Sequence, residues 1–532
     1  MAFNIEIKDS QVVVGEESQT LLEILLHAGE FVDNPCNGMG TCGKCKVKIL
    51  SGECSDLTRE EKKRLKPEEI DDGVRLSCMT NPKSDLLVEL MQKKLEHKVL
   101  TTGKMPEFER DEGLSGFGFA IDIGTTTVVA SLINLETGEE LSNSSDINAQ
   151  KHFGLDVLTR ITYEFEHPDT GAKELQDAIV GSLNSMMIDA CKQAKVNLKQ
   201  VKKINVAANC TMMHLLLGVD ARSIGKAPYQ PTFKEAKTLK ASDIGLKGGD
   251  DCVLYCLPHV SSYIGADIVA GAYVCEMQKS TDNELFIDIG TNGEIVLAKG
   301  GKLYSCSCAA GPALEGMNIS SGMRAATGAI EELRIKPDKV EFDTIGGGKP
   351  EGICGSGILA VIRELVVTGI IQRRGVFVKP NDLTETDWRR KHIRMNGNRR
   401  EFVVCTDPEI IVTQSDVRQV QMAKGAILSG FMALLQEAEI QMEDLDKVFI
   451  AGQFGAHLSV DSLVGSGILP ACVQDKLVYV GNSSKTGAYM TLLSEKVKHE
   501  IEELANEINY LELSNLKNYD RLYSDCMMFP EF

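Results

Sequence analysis

Two Asp-Ile-Gly-Thr patterns set the strongest limit on how this chain folds. They lie in "FAIDIGTTTVVASLINLETGEEL" from Phe119 and in "FIDIGTNGEIVLAKGGKLY" from Phe286. Asp122 pairs with Asp288, Gly124 with Gly290 and Thr125 with Thr291 at one constant offset. In each copy an apolar run ends in a Gly-Thr turn, a second β-rich run follows, and a polar turn ("ETG" or "KGG") closes it, which predicts a hairpin. A second pair, "INVAANCTMMHLLLG" (204–218) and "VFIAGQFGAHLSVD" (448–461), reads as strand, small-residue turn and helix. Two such units facing each other make a cleft with an Asp-Gly-Thr turn on each wall. The second unit is larger, and "SGILAVIRELVVTGII" and "SDVRQVQMAKGAILSGFMALLQEAEI" fit helices in it.

These turns suit a phosphate. Gly124 and Gly290 lack Cβ, so backbone N–H groups can approach phosphate oxygens. Thr125, Thr126, Thr127 and Thr291 add hydroxyls. Asp122 and Asp288 can bind Mg²⁺ or its waters, or orient an attacking water, which makes them the candidate catalytic residues. "GICGSGI" (352–358) is a further glycine turn opening a helix, and "GNSSKTGA" (481–488) reads as a loop-to-helix start.

The other chemical signal is "NPCNGMGTCGKCKVKIL" (34–50). Cys36, Cys42 and Cys45 sit in one glycine-rich loop, and Cys78 follows in "RLSCMT". Four thiolates fit tetrahedral zinc or a 2Fe–2S cluster. Structural zinc usually arrives on two close Cys pairs, whereas three ligands in one loop and one distant ligand favour the cluster. Gly38, Gly40 and Gly43 permit the left-handed turns that wrap backbone round it. Around this loop, residues 1–90 read as short strands ("FNIEIKD", "QVVVGEE", "CKVKILSG", "LLVELMQ") and one helix, "SQTLLEILLHAG", capped at Ser18 and ended by Gly29. The polar stretch that follows reads as a linker, giving divisions at 1–92, 93–116, 117–280 and 281–532.

A net charge of −19 argues against nucleic acid and anionic membranes as partners. The start lacks the basic end and apolar run of a secretory leader, and no stretch reaches the length of a membrane span. "AILSGFMALL" (426–435) reads as a buried helix instead. A soluble, cytoplasmic protein is therefore expected. The other cysteines are scattered in apolar surroundings and read as small buried hydrophobes. Cys306, Cys308 and Cys354 do not have the spacing of a second cluster. His152, His214, His259 and His457 are isolated and read as packed or hydrogen-bonded, with His457 set apart by its place beside the 448–461 turn.

Residues 1–90 resemble the adrenodoxin-like branch of the ferredoxins, on the cysteine loop, "EILLHAG" and "RLSCMT". That resemblance implies a β-grasp fold, the four cysteines above as ligands, and Cys54 left outside the set. The remainder resembles the ASKHA superfamily of acetate and sugar kinases, Hsp70 and actin. "DIGTTT" looks like its first phosphate motif, "DIGTNGE" like its second and "FIAGQFGAHL" like its adenosine motif. The nucleotide-binding residues this implies are Gly124, Thr125, Thr126, Thr127, Gly290, Thr291, Asn292, Gly452, Gln453 and Gly455, joined by Gly355. Gly311 is added from "CSCAAGPALEG" (306–316), which is similar to a segment of 2-hydroxyacyl-CoA dehydratase activators.

End to end, the chain resembles the reductive activators of corrinoid proteins, on "AIDIGTTT", "ANCTMMHLLLG", "DIGTNGEI", "CAAGPALEGMNI", "GICGSGI" and "AGQFGAHL". The resemblance implies a multidomain α+β and α/β protein: a β-grasp 2Fe–2S ferredoxin followed by RNase H-like and ASKHA ATPase domains. It implies a 2Fe–2S cluster, ATP and Mg²⁺, a corrinoid protein as partner, a low-potential electron donor and a homodimer. The implied reaction is ATP-dependent reduction of Co(II) corrinoid to Co(I) in a methyltransferase system. Two rival functions fit the same parts: ATP-driven electron donation to another low-potential enzyme, or a small-metabolite kinase with a fused ferredoxin.

Overall fold

The computed structural model describes the chain apart from residues 1, 9, 29, 31, 33, 35–37, 39, 41–42, 92–102, 398, 453–457 and 532. The chain divides into two compact units, Met1–His97 and Lys98–Phe532.

In the smaller unit, strands β1 (Ala2–Ile7), β2 (Val12–Glu16), β3 (Lys46–Ser51), β4 (Val74–Leu76) and β5 (Leu86–Leu90) form one sheet in the order β2-β1-β5-β3-β4. The β1–β5 pair is parallel and the others are antiparallel, which is the β-grasp arrangement. Helix α1 (Leu21–His27) buries Leu21, Leu22, Ile24 and Leu25 against Ile5, Ile7, Val47 and Val88. Its cap is Thr20 rather than Ser18. The Thr20 hydroxyl accepts the Glu23 N–H at 3.2 Å, and the Glu23 carboxylate accepts the Thr20 N–H at 2.6 Å. Ser18 has a leucine three positions on, so it cannot close this reciprocal box. The predicted helix end at Gly29 lies outside the described residues. Two further short helices, α2 (Arg59–Arg64) and α3 (Pro67–Asp71), occupy what the pattern left as loop.

Helix α2 supplies Glu61, fully buried and paired with Arg75 through Nε at 2.8 Å and Nη2 at 3.0 Å. Burial alone would raise the Glu61 carboxyl. The Arg75 guanidinium and the N–H groups of Thr58 and Leu76 outweigh it and hold the group below its usual range. A depressed carboxyl gives stability that is present above the unfolded pKa and lost as pH falls through the folded one. Thermal melts of the full chain should therefore show the ferredoxin transition falling below about pH 4. Glu61→Gln should lower that transition at neutral pH by the equivalent of about 3 kcal/mol, because it leaves a buried guanidinium unpaired.

The larger unit is built on a duplicated sheet. Strands β6 (Phe117–Ile123), β7 (Thr127–Asn134), β8 (Glu140–Ile147), β9 (Val201–Ala208), β10 (Lys237–Lys240) and β11 (Val253–Cys256) are ordered β10-β11-β9-β6-β7-β8. Strands β12 (Glu284–Ile289), β13 (Gly293–Lys299) and β14 (Lys302–Cys308) are joined by three later strands. The second sheet runs Leu477–Gly481, Lys447–Ala451, β12, β13, β14, Ile508–Tyr510. In both sheets a three-strand antiparallel meander carries two parallel strands on the side of its first strand. The predicted repeat is thus present in three dimensions as two RNase H-like halves. The β13–β14 turn is Gly300-Gly301, both at positive φ, as a two-residue hairpin requires.

Between β14 and Lys447–Ala451 the second half carries two small sheets. These are β15 (Ala329–Ile335), β16 (Val340–Thr344) and β17 (Gly352–Ile353), then β18 (Ile393–Asn396), β19 (Arg399–Thr406) and β20 (Glu409–Thr413). The two later strands of the main sheet are β21 (Lys447–Ala451) and β22 (Leu477–Gly481), and β23 (Ile508–Tyr510) is its edge. Helices α4 (Val157–Glu166), α5 (Gly171–Ala194), α6 (Cys210–Leu217) and α7 (Ala266–Val274) belong to the first half. Helices α8 (Gly355–Val367), α9 (Gln414–Glu437), α10 (Val460–Gly465), α11 (Ser483–Leu493), α12 (Glu495–Glu507) and α13 (Tyr519–Cys526) follow. The two helices read in the second unit correspond to α8 and α9. "AILSGFMALL" lies in α9 with Ile427, Phe431, Leu434 and Leu435 buried, and no helix among the described residues is long and apolar enough to cross a membrane.

Two helices line the seam between the halves. Helix α7 packs on β9 of its own sheet and reaches β12 and β13 of the other, while α11, from the second half, packs on β6 and β9 of the first. They meet at glycines: a Cβ on Gly487 would lie 2.5 Å from Ala270 Cβ, and one on Gly271 would lie 2.3 Å from Phe286 Cζ. Residues 103–111, inside the stretch read as a linker, run along this unit. Lys104 N–H donates to Val480 O at 2.7 Å, and Asp111 N–H to Leu493 O at 2.8 Å. Their polar composition serves hydrogen bonds to an edge rather than solvation of a free tether.

Candidate functional site

In the ferredoxin unit, Cys45 directly precedes β3 and Cys78 sits in the short helical turn Ser77–Met79 after β4. The Ser77 N–H donates to Cys45 O at 2.8 Å, which ties the two segments together. Both thiols are buried and their Sγ atoms stand 3.2 Å apart. Gly38, Gly40 and Gly43 have φ of 78°, 68° and 72°, as the wrapping loop demanded. A Cβ on Gly38 would come within 3.8 Å of Cys78 Cβ, so the loop lies against the second thiol. Two converging buried thiols under a left-handed glycine loop fit an iron–sulfur cradle. Cys36 and Cys42 lie outside the described residues. Cys54 is engaged elsewhere: its Sγ accepts from Arg75 Nη1 at 2.9 Å.

In the larger unit the two Asp-Gly-Thr turns occupy the same place in their sheets but differ in length: Ile123 pairs with Val128 across the first and Ile289 with Gly293 across the second, which is one residue shorter. Gly124 N–H donates to Thr127 O and Gly290 N–H to Asn292 O, each at 2.9 Å. Asp122 ends its strand facing α11, where Ser484 Oγ donates to its Oδ1 at 2.7 Å and Asn482 Nδ2 to its Oδ2 at 2.9 Å. Asp267, in the first turn of α7, and Glu294, at the start of β13, complete an acidic group with Asp122 and Asp288. Burial and the charges of Asp288 and Asp122 push Asp267 up to about 8. Burial and Asp122 push Asp288 up to about 7. Glu294 is raised by burial, Asp267 and Asp288, and Asp122 by burial against its two hydrogen bonds. Carboxylates that raise one another in this way, each keeping part of its surface open, form a donor set suited to a hard divalent cation.

Glu315 links the two walls. Thr291 Oγ1 donates to its Oε1, and Thr126 Oγ1 to its Oε2 at 3.5 Å. Gly311, at φ 75°, opens the turn Pro312–Glu315 that presents this carboxylate. Gly452 follows β21 at φ 90°, and a Cβ there would lie 2.5 Å from Asp288 Oδ1. Gly452→Ala should therefore displace the Asp288 carboxylate by about an ångström or more, which a crystal structure of the variant would show. Gly355 is the first residue of α8, which packs on the Pro312–Glu315 turn. In the same segment Gly357 meets the Ile330 carbonyl closely enough to exclude any Cβ. Gln453, Gly455 and His457 lie outside the described residues.

Asp267, Glu294, Glu315, Asn482 and Ser484 join the site although no local motif marks their roles. A visible signal did exist for Asp267, the single charge in the apolar run "YIGADIVAGAYV". Cys306 and Cys308 are buried thiols donating to the carbonyls of Gly430 and Gly293, which agrees with the absence of cluster spacing there. His214 is committed on both nitrogens. Its Nδ1 bonds Cys210 O at 2.8 Å and its Nε2 accepts the Thr232 N–H at 3.1 Å, so it is not a ready ligand although Cys210 and His259 lie nearby.

Three family models match the chain. Residues 3–83 match the 2Fe-2S iron-sulfur cluster binding domain, 117–280 the RACo middle region, and 282–532 the C-terminal domain of RACo, the ASKHA domain. The corrinoid activation enzyme RamQ of Eubacterium limosum is 34% identical over 433 residues, covering 80% of this chain and 72% of that one. The chain belongs to the RACo family. A more distant relative is the [Co(II) methylated amine-specific corrinoid protein] reductase of Methanosarcina barkeri, 26% identical over 76% of each chain. Among solved structures, the reductive activator for corrinoid, iron-sulfur protein aligns over 99% of this chain and 98% of its own, with a TM-score of 0.69 and 31% identity. RACo-family membership accounts for the presence of a ferredoxin and an ASKHA domain in one chain.

Proposed function

We propose that this RACo-family chain is an ATP-dependent reductive activator that returns the Co(II) corrinoid of a methyltransferase-system corrinoid protein to Co(I). The observation that carries the ATP part is the pairing of two repeated Asp-Gly-Thr turns, joined by Glu315, with the mutually interacting carboxylates of Asp122, Asp288, Asp267 and Glu294. The corrinoid part rests on the names of the relatives above. One electron enters from an external low-potential donor and reduces Co(II) to Co(I), while ATP and water become ADP and phosphate.

A 2Fe–2S cluster, when bound by Cys36, Cys42, Cys45 and Cys78, supplies one-electron transfer. The chain's own groups do the rest. Asp122 and Asp288 would hold Mg²⁺ directly or through its waters, with Asp288 also orienting the attacking water. The amides that follow Gly124 and Gly290 in the two turns, with the hydroxyls of Thr125, Thr126, Thr127 and Thr291 and the Asn292 side chain, bind phosphate oxygens, while the Gly124 and Gly290 N–H groups close the turns themselves. Gly452, Gln453 and Gly455 lie against the nucleoside, and Gly311 and Gly355 line the same cleft. Nucleotide favours one arrangement of the two halves, and that difference in affinity drives the corrinoid partner toward its reducible state. The protein acts in the cytoplasm as a homodimer.

The test follows the Co(II)-to-Co(I) absorbance change of a purified corrinoid protein with reductant and this chain, with and without ATP. An ATP-dependent gain in Co(I) is the expected result. No gain across several corrinoid partners would overturn the reading.

A further inference from the structure

The first Asp-Gly-Thr turn is held from behind at every carbonyl. Gly124 O accepts from Asn148 Nδ2 at 2.9 Å, Thr126 O from the Asn148 N–H at 2.9 Å, and Thr125 O from Arg160 Nη2 at 2.6 Å. Asn209 Nδ2 adds a bond to Thr125 Oγ1 at 3.0 Å. Arg160 is fully buried, and its other donors reach only neutral groups: Gly154 O at 2.9 Å, Gln150 Oε1 at 3.3 Å and Met212 Sδ at 2.9 Å. Among the described residues no carboxylate pairs with it. The other two buried arginines among the described residues each pair with one, Arg75 with Glu61 and Arg363 with Glu332. Burial pulls the Arg160 guanidinium down to about 9, opposed by the charge of Asp156, so it remains a cation at neutral pH.

A buried cation with no bonded carboxylate is costly, and here its charge is directed at the backbone carbonyls of Thr125 and Gly154. The Thr125 carbonyl that receives this charge belongs to the amide whose N–H is on Thr126. Polarising that carbonyl strengthens that N–H as a donor. The second turn has no such support: no buried cation bonds the carbonyls of Gly290 or Thr291 among the described residues.

We propose that Arg160 is a positioning residue for the first phosphate-binding turn, fixing its carbonyls away from the cleft and biasing its amides toward a polyphosphate. This rests on the ATP reading above. It assigns the first turn as the preformed half of the phosphate site and the second as the half that adapts.

The experiment titrates ATP, ADP and adenosine into the full chain by calorimetry, for wild type, Arg160→Met and Arg160→Lys, with melting curves to check folding. Arg160→Met should weaken ATP by about tenfold or more, as expected for loss of a charged hydrogen bond. Adenosine affinity should not change. Arg160→Lys should recover part of the loss, since an ammonium reaches the same carbonyl. In turnover assays KM for ATP should rise with kcat little changed. Equal weakening of ATP and adenosine would mark a merely structural role and overturn the inference, as would unchanged ATP affinity in Arg160→Met. Should Arg160→Met fail to fold, Arg160→Lys carries the same comparison: selective weakening of ATP supports the inference, and parallel loss or none overturns it. A wild-type chain that binds neither ATP nor ADP would overturn the ATP reading itself.

Discussion

Asp288→Asn should lower ATP hydrolysis by about 100-fold or more while leaving the iron–sulfur spectrum intact. The side chain is the penultimate one of β12, as Asp122 is of β6, and its carboxyl is pushed up to about 7 by burial and by Asp122. Such a group gains most when a divalent cation or a phosphate-bound water neutralises its surroundings. Replacing it with a neutral isostere removes that gain without changing volume, so melting temperature should hold or rise as repulsion with Asp122 and Asp267 disappears. Unchanged turnover would remove Asp288 from the chemistry and leave it a structural end to β12. Because ATP drives the partner's reduction in the proposed scheme, the same variant should also lose ATP-dependent Co(I) formation.

Cys78→Ser should do the reverse. The serine variant, reconstituted with iron and sulfide, should lose the visible absorption and the electron paramagnetic resonance signal of a reduced 2Fe–2S cluster. ATP hydrolysis should persist, because the ferredoxin unit is a separate compact body from the unit holding both Asp-Gly-Thr turns. Co(II) reduction should fall to the rate seen without the protein. Cys78 is the informative choice since its thiol is buried 3.2 Å from that of Cys45, so loss of the cluster cannot be relieved by recruiting solvent. A retained spectrum would mean that Cys54 or another thiol had taken its place. The bond from Arg75 to Cys54 Sγ argues against that substitution.

What could be read from residues alone was chemistry that is local in the chain. The duplicated Asp-Ile-Gly-Thr hairpins, the glycines at positive φ around the cysteines, and the long helices α8 and α9 each follow from short-range pattern. The second half of the acidic site does not. Asp267, Asn482 and Ser484 reach the turns because α7 spans both sheets and α11 packs on the sheet of the other half, and nothing in a sequence period encodes that placement. Glu315 lies in the "CSCAAGPALEG" segment, yet its role depends on two threonines drawn from different halves. The α1 cap sits at Thr20, two positions past Ser18, because a cap is set by the hydroxyl together with the acid three residues on. Residues 103–111 have the composition of a linker because polarity does not distinguish a solvated segment from one that gives its hydrogen bonds to an edge.

The packing of α7 and α11 across the seam also bears on how this protein can be cut. The apolar cluster centred on the first sheet includes Phe286, Phe449, Val480, Met490 and Leu492, all from the later half of the chain. A fragment ending near residue 280 would lack the helix that seals β6 and β9, and its complement would lack the one that seals β12 and β13. The boundary marked by sequence families is thus a seam of ancestry and not a place of independent folding. Expressed apart, the two pieces would expose sticky faces; mixed together, they should reassemble as a split protein whose recovery can be scored by nucleotide binding.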